Sequence, residues 1–369
     1  MPPSIALSLS GGGYRATLFH AGALRRLAEL GVLDRITHVS AVSGGAIAAG
    51  VWADDLRTHP DGDALDRARR IEARILALCR EHLDTGAIIG GMLNPFKSIN
   101  ETLIGAYRKH LFPDDPRLDQ LPVAPHFIFC ATNLSTGRQV YMERDGISDY
   151  RVGEHPYIAT LCEAVAASSA FPPFLSSMDL SLDPALWRLS PYRRETGLGA
   201  PATLRLTDGG AYDNLGLEPV WMKGHDYLLV SDAGAPYVED DQVRTDWFSQ
   251  VTAALDIATD QSRGLRKRWL ISRFNQAPGT PGYARGAYWG IASDVEDYHF
   301  DDAMPVKKEK SRPLRRIATR LAPFHTGVDE RLVNWGYAMA DTAMRTWRGD
   351  LIEGTAPPPS WPSPAHTLA

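Results

Sequence analysis

The sequence has few of the features that mark a secreted, membrane-spanning or nucleic-acid-binding protein. It has only 3 cysteines in 369 residues, and their wide spacing favours reduced core thiols over disulfides or a zinc site. The longest weakly polar run, 41–53, contains Ser43 and three glycines, and it is too short to cross a bilayer, which needs roughly 20 apolar residues. The net charge is −5, so a generally basic surface for nucleic acid is absent.

The remaining composition, 44% hydrophobic and 22% charged, is typical of a globular chain with a sizeable core. Residues 1–10 lack the segments of a cleaved signal peptide, so we expect a cytoplasmic protein. One large domain is predicted over 1–350, with its motifs at about 5–235 and a C-terminal extension at 240–350. The proline-rich segment 351–369 is predicted to be a flexible tail.

The hydrophobic pattern predicts alternating strands and helices. The chain begins with a strand, a glycine loop, a helix, a strand and a helix, at 5–10, 11–13, 17–30, 36–42 and from Gly44. Such a βαβα unit indicates parallel strands covered by helices. The alternation continues to about residue 275. We therefore expect a three-layer α/β/α sandwich on a mostly parallel sheet.

Ser43 is the candidate nucleophile. It lies between the second strand and its helix in the sequence Val-Ser-Gly-Gly, where a sharp turn exposes the hydroxyl and small neighbours, Gly44 and Gly45, let a substrate approach. The helix that begins at Gly44 favours the developing negative charge. The segment differs from the G-x-S-x-G pattern at Ala41. A serine that only caps the helix is the alternative interpretation.

Three consecutive glycines follow the first strand and open the first helix: Gly11, Gly12 and Gly13. Their N–H groups can converge on an anion, with support from the helix end, so this loop and Gly44 form a candidate oxyanion hole. Arg15 either braces the loop, adds positive potential or is a surface arginine. The loop also fits a dinucleotide fingerprint with Asp34 as the ribose ligand, which would indicate a nucleotide-dependent oxidoreductase.

Asp208 is the candidate general base because it directly follows a strand-like segment. Gly209 and Gly210 allow a sharp turn that leaves the carboxylate at the strand's end, where parallel sheets place catalytic groups. Asp-Gly is also a common turn sequence. Asp232, in the segment Ser-Asp-Ala-Gly, has a similar setting and is the second candidate for the base.

Taken together and in order, these segments resemble the patatin-like phospholipases, whose catalytic core is similar to that of cytosolic phospholipase A2. The resemblance covers about 5–234, and two further segments look like family segments, 131–137 and 167–174. Its main motifs are Gly11–Arg15, Ser43–Gly45 and Asp208–Gly210 with Asn214 nearby. The resemblance implies a serine–aspartate dyad that cleaves acyl esters of lipids, with no catalytic histidine, metal or cofactor. It fades beyond residue 240.

Two other interpretations stay open at this point. An α/β-hydrolase triad needs a histidine late in the chain, for which His225, His299 and His325 are available, but that fold places its serine after several strands. A regulatory lipid-binding protein on an inactive hydrolase fold is the other interpretation. The presence of both Ser43 and Asp208 argues against it.

The insertion 183–202 mixes apolar residues with arginines. Because it connects directly to the strand that leads to Asp208, we expect it to lie beside the active site as a lid. A solvated surface loop is the alternative. The side chains expected to touch lipid are Trp187, Tyr192, Arg193 and Arg194.

A basic segment, 307–321, departs from the acidic character of the rest of the chain, with a net charge of +6 between residues 307 and 320. Residues 313–322 have an amphipathic helical pattern, so we expect transient contact with an anionic membrane. Five acidic residues upstream could instead pair with these cations inside the protein: Asp294, Glu296, Asp297, Asp301 and Asp302.

Overall fold

The computed structural model describes residues 2–83, 99–171, 177–221, 223–239 and 245–369. Within them the strands are β1 Ile5–Leu9, β2 His38–Val42, β3 His126–Asn133, β4 Arg138–Glu143, β5 Gly146–Asp149, β6 Gly153–His155, β7 Met178–Ser181, β8 Arg188–Leu189, β9 Thr203–Asp208, β10 Tyr227–Asp232 and β11 Gly286–Gly290. The helices are α1 Gly13–Glu29, α2 Gly44–Thr58, α3 Ala64–Leu78, α4 Ile99–His110, α5 Leu161–Ser169, α6 Pro191–Glu195, α7 Gly210–Asp213, α8 Trp247–Phe274, α9 Lys308–Arg315 and α10 Val328–Trp347.

The sheet that these described strands form is mixed. Its order is β11-β10-β1-β2-β3-β4-β5-β6-β8, and β9 pairs with both β3 and β7. The pairs from β11 to β3 are parallel, and the remaining pairs are antiparallel. The predicted α/β architecture, a central sheet flanked by helices, is confirmed. The expectation of a mostly parallel sheet is wrong, because short connections after β3 join antiparallel strands and only longer crossovers permit parallel ones.

The C-terminal helix α10 belongs to the same core as the N-terminal motifs. It crosses α1 so closely that a Cβ on Gly22 would lie 1.9 Å from the Val333 carbonyl oxygen. A Cβ on Gly336 would lie 1.8 Å from the carbonyl oxygen of Phe19. Only glycine fits where two backbones approach this closely, so the two helices depend on each other for burial.

The proline-rich C-terminal segment is packed, which corrects the prediction of a flexible tail. The side-chain amide of Asn334 donates to the carbonyls of Ser363 and His366, each at 2.9 Å. The Lys307 N–H donates to the Leu368 carbonyl at 2.7 Å, and the Leu368 side chain is buried. The composition predicted disorder because it does not show that α10 offers this segment both hydrogen bonds and an apolar surface.

The basic segment 307–321 is not one amphipathic helix, which corrects the prediction for 313–322. Helix α9 ends at Arg315, and residues 316–320 continue without helical structure. Lys308 lies 3.7 Å from the Asp294 carboxylate, and Arg315 donates to the same carboxylate. The alternative of internal pairing therefore holds for part of the segment. Residues 316–320 leave the helical path because they bond to Tyr14 and Arg15 at the start of α1, as described below.

Among the described residues, no helix is both long and apolar enough to cross a membrane. In the same part of the chain, no group of three or more histidine, cysteine, aspartate or glutamate side chains is placed to hold a metal ion. The three cysteines are free and buried thiols: Cys79, Cys130 and Cys162.

Candidate active site

The ends of β2 and β9 meet beside β3, and this brings Ser43 and Asp208 together. Val42, the last residue of β2, lies opposite Cys130 in parallel register. Asp208, the last residue of β9, lies opposite Ala131 in antiparallel register. Ala131 pairs with β4 on its other side, so β2 and β9 share one side of β3. Two strands that run towards each other thus end at adjacent residues of β3.

Ser43 occupies a strained turn, as expected of a nucleophile between a strand and a helix. Its φ of 53° and ψ of −118° are rare for a residue with a side chain. The turn is tight: a Cβ on Gly44 would lie 2.2 Å from the Gly13 carbonyl oxygen, and one on Gly45 would lie 2.3 Å from that of Leu9. The Ser43 side chain makes no capping hydrogen bond to α2, so the helix-cap interpretation is not supported.

Ser168, on α5, holds the turns of both candidate catalytic residues. Its hydroxyl accepts a hydrogen bond from the Ser43 N–H at 2.9 Å and donates to the Cys130 carbonyl at 2.6 Å. Its own carbonyl accepts from the Gly209 N–H at 3.3 Å. Sequence reasoning missed this role, although Ser168 lies in the family-like segment 167–174, of which 172–174 fall outside the described residues.

We expect Ser168→Ala to lower both turnover and stability. The change removes the partner of the buried Ser43 N–H and one partner of the Cys130 carbonyl, and a buried group left without a partner costs about 1–3 kcal/mol. It also frees the turn that aims the nucleophile. Urea unfolding and initial rates of ester hydrolysis measure the two effects. Ser169→Ala is the matched control, since Ser169 is equally buried but bonds Tyr107 instead; an equal loss of turnover in both variants would contradict the role of Ser168.

Asp208 is buried and has the electrostatics of a base. Burial raises its pKa to about 6. Two groups lower this pKa by smaller amounts: the Gly210 N–H, which donates to Oδ1 at 2.7 Å, and the side chain of Ser43. A carboxylate with a raised pKa is a stronger proton acceptor. The Ser43 side chain is near enough to lower the pKa of Asp208, and both residues line one cavity, so Asp208 is the candidate acceptor for the hydroxyl proton.

Asp232, the second candidate for the base, is held as a structural ion. Burial raises its pKa, but Arg263, the Tyr288 hydroxyl at 2.7 Å and the Gly234 N–H at 2.9 Å together hold that pKa below its usual value. Asp232 does not line the cavity that contains Ser43. A carboxylate with these partners is a poor proton acceptor, so Asp208 remains the candidate.

The glycine loop offers fewer free N–H groups for the predicted oxyanion hole than expected. The Gly11 N–H already donates to the Asn214 carbonyl at 3.0 Å, so Gly11 is removed from the predicted oxyanion hole. Gly12 and Gly13 have φ values of 143° and 56°, which glycine alone adopts readily. Nothing in the described part of the chain accepts a hydrogen bond from the N–H groups of Gly12, Gly13 or Gly44, and the first N–H groups of a helix have no partner within it.

A cavity of about 440 Å³ opens onto Ser43 and Asp208, a size typical of small-molecule sites. Beyond the motif residues its walls are residues 235–238, one side of α8 and residues 316–319. The last two belong to the C-terminal extension. No pattern in the sequence indicates them, because wall positions of a cavity follow no residue spacing.

Arg15 is fully buried and braces the site. Its Nε donates to the Ala233 carbonyl at 3.1 Å, its Nη1 donates to the Ile317 carbonyl, and its Nη2 donates to the Thr319 hydroxyl at 3.2 Å. Burial, with a smaller contribution from Arg263, lowers the pKa of Arg15 to about 10. These contacts favour the bracing interpretation, with residues 317–319 as the segment held.

None of the three histidines proposed for a triad lines the cavity, among the residues the structure describes: His225, His299 and His325. His20 is also apart from it. Its ring bonds the Ser231 hydroxyl at 2.8 Å and the Ser10 carbonyl at 2.9 Å, and burial lowers its pKa to about 4. The dinucleotide interpretation likewise gains no support, because the Asp34 carboxylate accepts a hydrogen bond from Arg67 at 2.5 Å.

The family model of the patatin-like phospholipases matches residues 7–221, more than half of the chain. The protein belongs to the patatin-like phospholipase family. The resemblance inferred from the glycine loop, Ser43 and Asp208 is thereby confirmed. No curated protein sequence matches the chain significantly.

Solved structures share the fold of this patatin-like protein. Human GIVD cytosolic phospholipase A2 is similar with a TM-score of 0.56 and 13% identity, over 95% of this chain and 63% of the human one. The same human enzyme in complex with methyl gamma-linolenyl fluorophosphonate gives a TM-score of 0.51 and 14% identity, over 95% and 60%. The chain thus spans less than two thirds of the human enzyme, and at these identities the similarity shows the fold alone.

The predicted lid does not border the cavity of this patatin-like protein. Strand β8 of the insertion lies at the sheet edge, beyond β6. Trp187 donates to the Pro201 carbonyl at 3.0 Å, and Arg194 donates to that of Leu189. The prediction is corrected because the insertion folds outward from β9 onto the edge strands. The four side chains outside the cavity lining are Trp187, Tyr192, Arg193 and Arg194.

Proposed function

We propose that this protein is a lipid acyl hydrolase, of phospholipase A or lysophospholipase type, that works through a Ser43–Asp208 dyad. The observation that carries the proposal is that a serine on a strained turn and a buried carboxylate with a raised pKa line one cavity. Membership in the patatin-like phospholipase family supports a lipid ester as the substrate. The proposed hydrolysis uses water as its second substrate and requires no cofactor.

In the proposed mechanism, Asp208 accepts the proton of the Ser43 hydroxyl as Oγ attacks the ester carbonyl carbon. The resulting oxyanion accepts hydrogen bonds from the N–H groups of Gly12, Gly13 and Gly44, an effect worth on the order of 10²–10³ in rate per donor. The proton on Asp208 then passes to the leaving alcohol. Water repeats the sequence on the acyl-Ser43 ester, which releases the fatty acid and restores the dyad.

A fluorophosphonate probe tests this proposal directly. The human cytosolic phospholipase A2 of similar fold has been solved with methyl gamma-linolenyl fluorophosphonate, so the same reagent suits this protein. We expect mass spectrometry to find the phosphonyl adduct on the peptide that contains Ser43. The Ser43→Ala protein is the control. A folded protein that remains unlabelled would contradict a serine nucleophile.

We expect kcat/KM for ester hydrolysis to rise with pH through an apparent pKa near that of Asp208, about 6. Only the ionised carboxylate accepts a proton, so activity falls as pH drops through this value. Rates on a soluble short-chain ester between pH 4 and 9 measure the profile. An inflection near pH 4, the ordinary aspartate range, would show that burial does not raise the pKa of the base.

We also propose that the protein is cytoplasmic and contacts anionic membranes transiently. Lys307 and Arg312 are exposed and form no ion pair within the described residues, and each such cation near an anionic bilayer contributes about 1 kcal/mol. We expect co-sedimentation with anionic vesicles to weaken as salt rises and when both residues are changed to Gln. Equal binding to neutral and anionic vesicles would contradict this attraction.

A further inference from the structure

Most charges that line the cavity already have partners. Arg263 bonds Asp260 at 2.9 Å and the Gly234 carbonyl at 2.6 Å. Arg15 is bonded to the backbone of two segments and to Thr319. Asp208 is bonded to Gly210. The partners of Arg263 and Arg15 leave these two cations with little capacity for a substrate, and Asp208 is assigned to proton transfer with Ser43.

Two charged residues of the lining lack partners: Arg316, which follows α9, and Asp256, on α8. Neither forms a hydrogen bond or an ion pair through its side chain with any residue the structure describes. Both face the same cavity as Ser43, yet they do not pair with each other, so their charged atoms are more than 4.0 Å apart. Among the lining residues that the structure describes, the cavity thus presents one cation and one carboxylate without partners, on different walls.

Both walls are held in place. The Tyr14 N–H donates to the Arg320 carbonyl at 3.0 Å, and Arg15 binds residues 317–319, so the backbone that follows Arg316 is fixed to the first turn of α1. Asp256 lies in the middle of a helix of 28 residues. Both side chains are exposed to solvent while the backbone that carries them is held, so a ligand in the cavity can reach them without breaking an internal interaction, and their backbone positions need not change when it binds.

We propose that Arg316 and Asp256 form a subsite for the head group of a zwitterionic phospholipid or lysophospholipid. This inference rests on the proposed function, because it assigns the polar end of the ester that Ser43 would cleave. The guanidinium of Arg316 donates paired hydrogen bonds to the phosphate. The carboxylate of Asp256 attracts the ammonium group on the far side of that phosphate. A neutral glyceride would leave both charges without a partner.

Hydrolysis of three monomeric esters with one acyl chain tests the subsite: monooctanoyl glycerophosphocholine, monooctanoyl glycerophosphate and monooctanoylglycerol. We expect Arg316→Gln to lower kcat/KM for both phosphate esters by about 10-fold or more, the value of a hydrogen bond to a charged group. The neutral ester should be unaffected. Asp256→Asn should lower kcat/KM for the choline ester only, because only that ester carries an ammonium group for the carboxylate to attract. For the glycerophosphate ester the change removes a repulsion between like charges.

Arg268→Gln is the matched control, since Arg268 is an exposed arginine on α8 outside the cavity lining. It should change none of the three rates. If each of Arg316→Gln and Asp256→Asn changes kcat/KM for all three substrates by the same factor, or changes it for none, the head-group subsite is overturned. Because these esters are used as monomers, an effect of charge on membrane attachment does not enter the measurement.

Binding to the Ser43→Ala protein separates this inference from the proposed chemistry. Calorimetric titration with octylphosphocholine needs no turnover, and we expect Arg316→Gln to weaken its Kd by about 10-fold. If wild-type protein hydrolyses no ester but the Kd shifts as expected, the proposed function fails while the subsite stands. An unchanged Kd, or inorganic phosphate bound as tightly as octylphosphocholine, would overturn recognition of a lipid head group.

Discussion

The Ser43→Ala protein should fold normally and lose at least about 10³-fold in kcat/KM for lipid ester hydrolysis. The change removes only the hydroxyl oxygen, and the Ser43 side chain makes no capping hydrogen bond to α2. We therefore expect little loss of stability. Without Oγ no acyl-enzyme forms, and direct attack by water has to replace two easier steps. Initial rates on a lysophospholipid and circular dichroism measure activity and folding.

The Ser43→Ala and Asp208→Asn losses should be strongly non-additive, because the two residues act as one unit. Once the serine is absent, the base has no proton to accept, so the double variant should be about as active as Ser43→Ala. Additive losses would show that Asp208 acts on something other than Ser43, such as a water molecule. The comparison requires all three variants at one pH above 7, where Asp208 is ionised.

Asp208→Asn should abolish turnover and, at the same time, make the protein more stable at neutral and alkaline pH. The folded-state pKa of about 6 lies above the ordinary value of 3.8, so the folded state favours the protonated carboxyl. The associated stability is complete below about pH 4 and is lost as pH rises through about 6. Ionised Asp208 thus costs roughly 3 kcal/mol at pH 8, and Asn removes that cost while its side-chain oxygen can still accept from the Gly210 N–H.

Urea unfolding at pH 8 and at pH 4 measures this effect. We expect Asp208→Asn to raise the free energy of unfolding at pH 8 and to change it little at pH 4, where the wild-type carboxyl is already protonated. Asp232→Asn is the control with the opposite sign: its pKa is held low by Arg263 and Tyr288, so the variant should lose stability at pH 8 and keep most of its turnover. Near-normal turnover in Asp208→Asn together with its loss in Asp232→Asn would reverse our assignment of the base.

The predictions that failed depended on contacts with distant parts of the chain. Residues 313–322 have a helical pattern, but residues 316–320 bond to Tyr14 and Arg15 instead. The tail 351–369 contains five prolines, a composition that indicates disorder, yet Leu368 is buried and Asn334 binds two of the tail's carbonyls. Local pattern indicates what a segment does alone, and tertiary hydrogen bonds can outweigh that preference.

The lid prediction failed for a related reason. The insertion 183–202 is close to Asp208 along the chain, and strand β9 connects the two. That strand carries the insertion away from the site, towards β6 at the sheet edge. Closeness along the chain does not show on which side of the sheet a segment lies, because that depends on how the strands pair.

The sequence by itself determined the local chemistry of this protein. The positions of Ser43, Asp208 and the glycine loop follow from short motifs, because a tight turn or a converging set of N–H groups needs particular residue types at fixed spacing. Family membership followed from the same segments. These are local constraints, so a few neighbouring residues reveal them.

Only the tertiary structure decided how those motifs combine. The head-on approach of β2 and β9 beside β3 brings together Ser43, the proposed nucleophile, and Asp208, its proposed base. Ser168 holds both turns. The C-terminal extension supplies cavity walls that include Asp256 and Arg316. Such arrangements depend on backbone pairing and packing between residues far apart in the chain, where many residue types satisfy the same contact, so no spacing in the sequence records them.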